Sequence, residues 1–345
     1  MQLDVRVLAP ADDARWDALV ESSAQGTVFA QRWWIEAATD GQGQRLGCFT
    51  GDRLLAGLPI WSTTTLGIRR LRQPPLTPYW GPIFGKLDGG YTTQLNSQMS
   101  ILRAFAEALL PWPDVTMQWH PTVMNWLPFF WQGYAQTTRY TYRVERLWEF
   151  PLHDDAFQKS VRQKLRSARQ RALTVRDEVA VAAVTAMFQR TMARQGMSGD
   201  PEVLAAWSRI APAARARGCL FTTAVTDDEG HDHTARAMVW DTRCAYAIFG
   251  GSDPRFRQSG AAPYSLVHEM QVAADLVPAY DFEGSTIEPI EAFFRSFGGA
   301  LTPYFLITRR ASRALNAARA LHGWSRRLRA ASTSESPSLL TGAAA

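Results

Sequence analysis

Cysteine is scarce in this chain. Its 345 residues hold only three, Cys48, Cys219 and Cys244. They are too few and too scattered for a disulfide framework or a zinc site. No apolar run approaches the roughly 20 residues that cross a bilayer. The opening segment, MQLDVRVLAPADD, has acids and no apolar core, so it is not expected to act as a secretory signal. No G-x-G-x-x-G follows an early strand. GPIFGKL lacks the glycine spacing of a P-loop, and no Ser or Thr follows Lys86. His231 and His233 fall in the acidic turn DDEGHDH and read as turn residues, not as metal ligands. Together these absences predict a cytoplasmic protein with free thiols and no metal.

What is present is an ordinary globular composition, 46% hydrophobic and 20% charged. The length suits two cores better than one. The net charge of +5 is mild but unevenly placed. One arginine-rich stretch runs from Lys159 to Arg176, and a second, without acids, from Arg309 to Arg329. Such segments suit nucleic acid, anionic lipid or phosphorylated small molecules, and equally suit solvated helix faces.

Element order divides the chain. MQLDVRVLAP alternates like a strand, and DDARWDALVESS and TVFAQRWWIEAAT read as helices. RLGCFTGDRLLAGLPIWST reads as a hairpin turned at Gly51-Asp52. QPPLTPYWGPIF is loop or edge strand. LNSQMSILRAFAEALLP is an amphipathic helix stopped by Pro111, and VTMQWH and RYTYRVE are strand-like. The second half restarts with three helices, from DAFQKSVRQKLRSARQRAL to EVLAAWSRIAPAARARG. CLFTTAVT, TARAMVWDT and CAYAIFGGSD then form a three-strand meander. A helix from Pro263, the strand AYDFEGS, the helix IEPIEAFFRSFG and the strand TPYFLITR follow. This order predicts an α/β class with a mixed sheet flanked by helices. The domains expected are 1–150, 151–310, and a tail over 311–345 made of a basic helix and a low-complexity end.

RFRQSGAAPYSLVHEM, from Arg255 to Met270, carries the clearest chemistry. Gly260, Ala261 and Ala262 have almost no side-chain bulk, so backbone N–H groups there can approach an anion. Pro263 suits a first helical turn. A strand, a small-residue loop and a helix N-terminus form a general phosphate cradle, to which Arg257 adds a charged donor. A plain strand–helix connection would look similar.

The spacing Arg257, Gly260, Ala262 resembles the Q/R-x-x-G-x-G/A loop of the GNAT acyltransferases. YDFEGSTIEPIEAFFRSFGGALTPY is similar to the signature of the Fem-like branch of that superfamily. KLRSARQRAL resembles the branch's basic helix, and QPPLTPYWGPIF and NWLPFFWQGYAQTTRYTY resemble first-domain segments of its tandem members. The resemblance spans about residues 25 to 310.

It implies two tandem GNAT-like domains, the first degenerate and lacking a phosphate loop. It also implies transfer of an acyl group from acyl-CoA to a primary amine of a small substrate, such as an amino sugar of a cell-surface polysaccharide. The alternative it leaves open is a Fem-type ligase using aminoacyl-tRNA on a peptidoglycan precursor or other amine. By the same resemblance the pyrophosphate lies over Arg257, Gly260, Ala261 and Ala262, and Phe249, Gly250 and Gly251 lie near the reacting carbonyl. Many GNAT enzymes have a tyrosine where this chain has Phe294, which turns attention to Tyr304 or Tyr264 as acid.

Other candidates come from the residues themselves. Asp281 and Glu283, two apart on a strand, are expected to share a face and supply a base, while Phe282 points to the core. His268 lies in the helix after the phosphate loop, as a second candidate. Tyr79, Trp80, Trp131, Arg139 and Tyr140 are expected near an interdomain cleft, as substrate contacts. The basic segment 309–329 either lies on an anionic membrane, as a peripheral contact, or packs against the second domain.

Overall fold

The computed structural model describes residues 2–65, 67–194 and 200–310. The first half runs β1 (Asp4–Val7), α1 (Asp13–Ser22), α2 (Arg32–Thr39), β2 (Gly43–Thr50), β3 (Arg53–Thr65), β4 (Ile68–Leu71), β5 (Ile83–Phe84), α3 (Tyr91–Ala108), β6 (Asp114–Gln118), α4 (Leu127–Phe130) and β7 (Ala135–Val144). The second runs α5 (Lys159–Gln170), β8 (Thr174–Asp177), α6 (Val181–Arg194), α7 (Pro201–Arg215), β9 (Leu220–Thr226), β10 (Asp232–Trp240), β11 (Cys244–Ser252), α8 (Ala261–Ala274), β12 (Ala279–Asp281), α9 (Glu288–Arg295) and β13 (Ala300–Arg309).

Local chemistry accounts for most of these boundaries. The β2–β3 hairpin turns at Gly51, whose φ of 53° is open to glycine at no steric cost. α3 buries Ile101, Leu102, Phe105 and Ala106 on one face and ends before Pro111. α7 starts with Asp200 accepting the N–H of Glu202 at 2.9 Å, followed by Pro201 in the first turn. β9 is buried along its whole length, because helices cover both faces of the sheet there. The short strand β8 escapes the sequence reading, since its four residues TVRD carry no apolar period. α8 begins at Ala261, two residues before the proline expected to start it.

Among the described residues the strands form one sheet of thirteen, ordered β1-β2-β3-β4-β6-β13-β7-β12-β11-β10-β9-β8, with β5 beside β3. The sheet is mixed, with parallel pairs at β4/β6 and β11/β12. β13, the last strand of the second half, pairs with β6 and β7 of the first. β7 in turn lies against β12 of the second half. Each half thus gives its final strand to the other. The ladder runs from one half to the other, so backbone hydrogen bonds join residues on either side of the 150/151 division.

Side chains reinforce the seam. Phe29, Trp34 and Tyr79 of the first half share a core with Trp207, Tyr246 and Tyr304. Asp241 accepts the Val28 N–H at 2.8 Å, and Arg209 donates to the Ala37 carbonyl at 2.7 Å. No helix of the described residues is long and apolar enough to cross a membrane. The expected tail helix and low-complexity end lie outside the described residues, apart from Arg309 and Arg310. Those two donate to the Leu109 carbonyl at 2.8 Å and to Asp114 at 3.0 Å.

Candidate active site

β12 is a short strand between β11 and β7, and it ends on Asp281. Asp281 has no exposed surface. Its carboxylate accepts from the Tyr79 hydroxyl at 2.6 Å, Thr141 Oγ1 at 2.6 Å and Arg143 Nη1 at 3.0 Å. It also accepts the backbone N–H of Glu283 at 2.8 Å, the local turn that aspartate favours. The chain after β12 therefore bends sharply, and Glu283 adopts φ 63°. A left-handed non-glycine residue costs about 1–2 kcal/mol. Gly284 follows at φ 66°, where an added Cβ would lie 2.1 Å from the Tyr140 carbonyl oxygen.

This corrects the expectation for the two acids. They do not share a strand face. Asp281 is a fully bonded structural carboxylate, and Glu283 sits beyond the strand in a strained turn. Phe282, between them, is buried in the core.

The turn opens onto a cleft of about 270 Å³ at the seam. Loop 73–78 and the end of β6 supply the first-half wall, and β7, β13 and the 283–286 turn complete it. Glu283, Arg139, Tyr140, Tyr304 and Gln118 line it. Glu283 Oε1 is buried and has no hydrogen-bond partner. Burial, then repulsion from Asp281 and Glu269, pushes its carboxyl well above the usual range, partly offset by Arg236. Burial also pushes the Tyr304 phenol up to about 12, so it remains a hydroxyl.

A larger cleft of about 520 Å³ lies between α1–α2 and the β10–β11 turn. Its charges are mostly engaged: Arg32 with Asp17 and Asp13, Arg217 over Trp33, and Asp241 with backbone N–H groups and Tyr246. None of its side chains carries an unpartnered buried polar atom. The smaller cleft, by contrast, is lined by two residues that carry such an atom, Glu283 and Gln118.

The other expected residues divide. His268 does not reach the cleft; its Nε2 bonds Asp177 of β8 at 2.8 Å, against Phe221. Trp80 belongs to the first-half core at 2% exposure, and Trp131 is exposed beside Arg103, outside the cleft. Loop residues rich in proline and tryptophan look like a ligand surface in sequence. Here they close a core, because the extended loop packs down on β6 through the Trp80 N–H to the Gln118 carbonyl. Tyr79 is buried in the Asp281 cluster, edge-on to Tyr304 at 5.8 Å. His231 and His233 both bond Asp227, and His233 stacks on Phe256 at 3.9 Å.

Near the loop expected to hold phosphate, β11 and β12 pair only as far as Tyr246 and Asp281, while β11 continues to Ser252. A notch therefore opens between them below α8. Phe249 is sandwiched between Phe188 and Trp207, each ring pair 4.4 Å apart, so its side chain is core. Gly251 lets α6 approach: a Cβ there would lie 2.3 Å from the Met187 carbonyl oxygen. A Cβ on Gly250 would meet the Ala235 carbonyl oxygen at 2.8 Å. Gly260 caps α8 at φ 87°, and a Cβ there would lie 2.0 Å from the Lys164 carbonyl oxygen of α5. Glycine at 260 is thus required by helix packing as well as by the turn. α8 has no acid in its first turn, and of its leading N–H groups that of Ala261 is taken by Ser259 Oγ at 3.2 Å. Arg257 is exposed beside it, without an ion-pair partner among the described residues.

Sequence reasoning missed a buried trio next to the notch. Arg236 of β10 donates to Glu269 of α8 at 3.2 Å, and the Tyr280 hydroxyl of β12 donates to the same carboxylate. The available signal was an acid on the otherwise apolar face of α8. Gln118 and Arg143 were missed too, because each acquires its role from a distant strand.

Residues 156–288 match the acetyltransferase (GNAT) domain family. No curated protein matches the chain. Among solved structures, FemX is similar with a TM-score of 0.61 at 13% identity, over 88% of this chain and 96% of that one. L-PGS from Bacillus licheniformis is similar with a TM-score of 0.52 at 11% identity, over 90% and 95%. A conserved protein of unknown function from Bacteroides thetaiotaomicron gives 0.54 at 10%, over 89% and 99%. At these identities the likeness is one of fold. The second half thus carries a GNAT acetyltransferase domain, a transferase domain, within a mixed α/β chain of Fem-like GNAT fold.

Proposed function

We propose that this protein is an N-acyltransferase that moves an acyl group from acyl-CoA to a primary amine bound in the seam cleft. The observation that carries the reading is Glu283, half-buried in a strained turn with its carboxylate oxygen Oε1 buried and unpartnered. An unsatisfied buried acid destabilises a fold, and such groups cluster at sites of proton transfer. Glu283 takes a proton from the incoming ammonium. The freed nitrogen attacks the thioester carbonyl, giving a tetrahedral oxyanion, and the thiolate leaves as the amide forms. Backbone N–H groups of the Phe249–Gly251 segment are the proposed donors to the oxyanion. Tyr304, held as a hydroxyl, is proposed to give the thiolate a proton and to regain one from the nitrogen as the amide forms. The pyrophosphate of the donor is assigned to the start of α8 with Arg257.

The exposed cations of α5 and its C-terminal cap, Lys159, Arg166 and Arg171 among them, favour a second reading in which the donor is aminoacyl-tRNA. Lys164 of the same helix bonds Gln258 in the phosphate loop, so either donor would meet that surface. Calorimetry separates the two: acyl-CoA binding lost in Arg257→Ala supports the first, and binding of aminoacyl-tRNA alone supports the second. For the chemistry, Glu283→Gln should lower kcat by about 10²–10⁴-fold with acyl-CoA affinity unchanged. Near-normal turnover in that variant ends the assignment.

A further inference from the structure

We infer that the acceptor is an amine that also carries an anionic group, a carboxylate or phosphate, which Arg139 binds while Glu283 and Gln118 hold the ammonium. The inference rests on the acyl-transfer reading and names the acceptor class for the same cleft.

Two observations meet in that cleft. The first is a pair of orphaned acceptors. Glu283 Oε1 and Gln118 Oε1 are both buried without a hydrogen-bond partner, and both residues line the cleft. The orientation of the Gln118 amide is set by its neighbours. Its Nε2 donates to the Pro78 carbonyl at 3.2 Å, and its backbone N–H donates to Gln73 Oε1 at 2.8 Å. The oxygen is therefore the atom left without a donor. A buried acceptor without a donor costs free energy that a ligand N–H recovers. A primary ammonium has three N–H bonds. Glu283 can take the proton that leaves, and Gln118 can hold a second N–H and orient the nitrogen.

The second observation is the charge of the lining. Glu283 is its one acid and Arg139 its one base, and the two are not ion-paired with each other. Arg139 is half-buried on β7, and its neighbour in the cleft is the Tyr304 hydroxyl, not a carboxylate. Outside the cleft, Arg143 is committed to Asp281 and Arg236 to Glu269. An unpaired guanidinium in a cleft prefers a planar anion that accepts two N–H bonds. One orphaned acid and one unpaired base in one cleft fit a ligand carrying both charges. The volume of about 270 Å³ limits the enclosed part to a small molecule, or to the amine-bearing end of a larger one.

The test follows thiol release from acetyl-CoA by the full chain, using amines in matched pairs. 2-Aminoethanol is set against phosphoethanolamine, glucosamine against glucosamine 6-phosphate, and alaninamide against alanine. The expected result is a kcat/KM roughly ten- to hundredfold higher for the charged member of at least one pair. Arg139→Gln should collapse that ratio, and comparing the two enzymes cancels the differing basicity of the amines. A preference in the phosphate pairs alone identifies a phosphate, and one in the alanine pair alone a carboxylate. Turnover indifferent to the anionic group, or a ratio unchanged in Arg139→Gln with an unchanged Tm, overturns this inference and leaves the acyl-transfer reading standing. No turnover of any amine overturns both.

Discussion

Removing the Asp281 charge should damage the protein more than removing Asp281 and its partner Arg143 together. Asp281 is completely buried, and the Arg143 side chain beside it is 11% exposed. In Asp281→Asn the amide oxygen can still accept from Thr141 and from the Glu283 N–H, so the turn keeps its shape. The Arg143 guanidinium, however, loses its buried counter-charge and retains only Glu145, which is 65% exposed. Breaking one partner of a buried pair typically costs about 3–5 kcal/mol. For a chain of this size about 2 °C of Tm accompanies each kcal/mol, so the melting point should fall by about 6–10 °C. In Arg143→Met with Asp281→Asn the stranded cation is gone, and apolar neighbours such as Tyr79 and Tyr246 can pack on the thioether. The double variant should therefore melt above the Asp281→Asn single variant. Calorimetry on the four proteins of the cycle gives the coupling directly. The reasoning is refuted if Asp281→Asn melts within about 2 °C of the parent, or if the double variant shows the sum of the two single losses. A kinetic arm reads the site through the same change. The Asp281 charge helps hold the Glu283 carboxyl above its ordinary range, so Asp281→Asn should move the acidic limb of the kcat/KM profile to lower pH.

Arg257→Ala should weaken acyl-CoA binding by roughly ten- to a hundredfold through loss of a charged donor, measured by calorimetry with Tm unchanged. Asp253, at the head of the phosphate loop, is held down at about 2 by its bonds to Arg255, against the cost of burial. Its stabilising contribution is complete above the unfolded carboxylate pKa of about 3.9 and fades as pH falls toward 2. The Tm difference between parent and Asp253→Asn should accordingly be largest near neutrality and shrink between about pH 4 and pH 2; a constant difference counts against this. Glu283 titrates in the opposite sense. Its folded pKa is raised, so the parent loses stability relative to Glu283→Gln as pH rises above the unfolded value of about 4.3. Glu283→Gln should therefore melt above the parent at pH 8 while its turnover falls, and a lower Tm at that pH would contradict the orphaned-carboxylate reading.

Several features were legible residue by residue. Apolar period, helix stops and turn residues place nearly every helix and most strands, because those preferences act within a few positions of the chain. The Arg257–Ala262 loop was legible for the same reason: small residues, a strand before and a helix after are local facts. Glu283 was singled out as an acid beside that loop, but for a geometry it does not have. Strand alternation put it on one face with Asp281, whereas the Asp281 carboxylate captures its N–H and turns it left-handed. Trp80 was taken for a ligand surface by the prolines around it, because sequence does not show which core a loop covers.

What only the tertiary structure decided concerns partners far apart in the chain. Gln118 comes to line the cleft because loop 73–78 packs on the end of β6 and uses its other polar atoms. Asp281 meets Arg143 across 138 residues and Tyr79 across 202. The exchange of β7 and β13 between the halves was invisible because any strand of suitable length and alternation can join either ladder. By itself the sequence determined the elements, their order and the small-residue loop at the start of α8, all set by local backbone preference. The single sheet, the cleft at its seam and the roles of the two acids were set by which strands lie side by side, a choice made by burial and hydrogen bonding across the whole molecule.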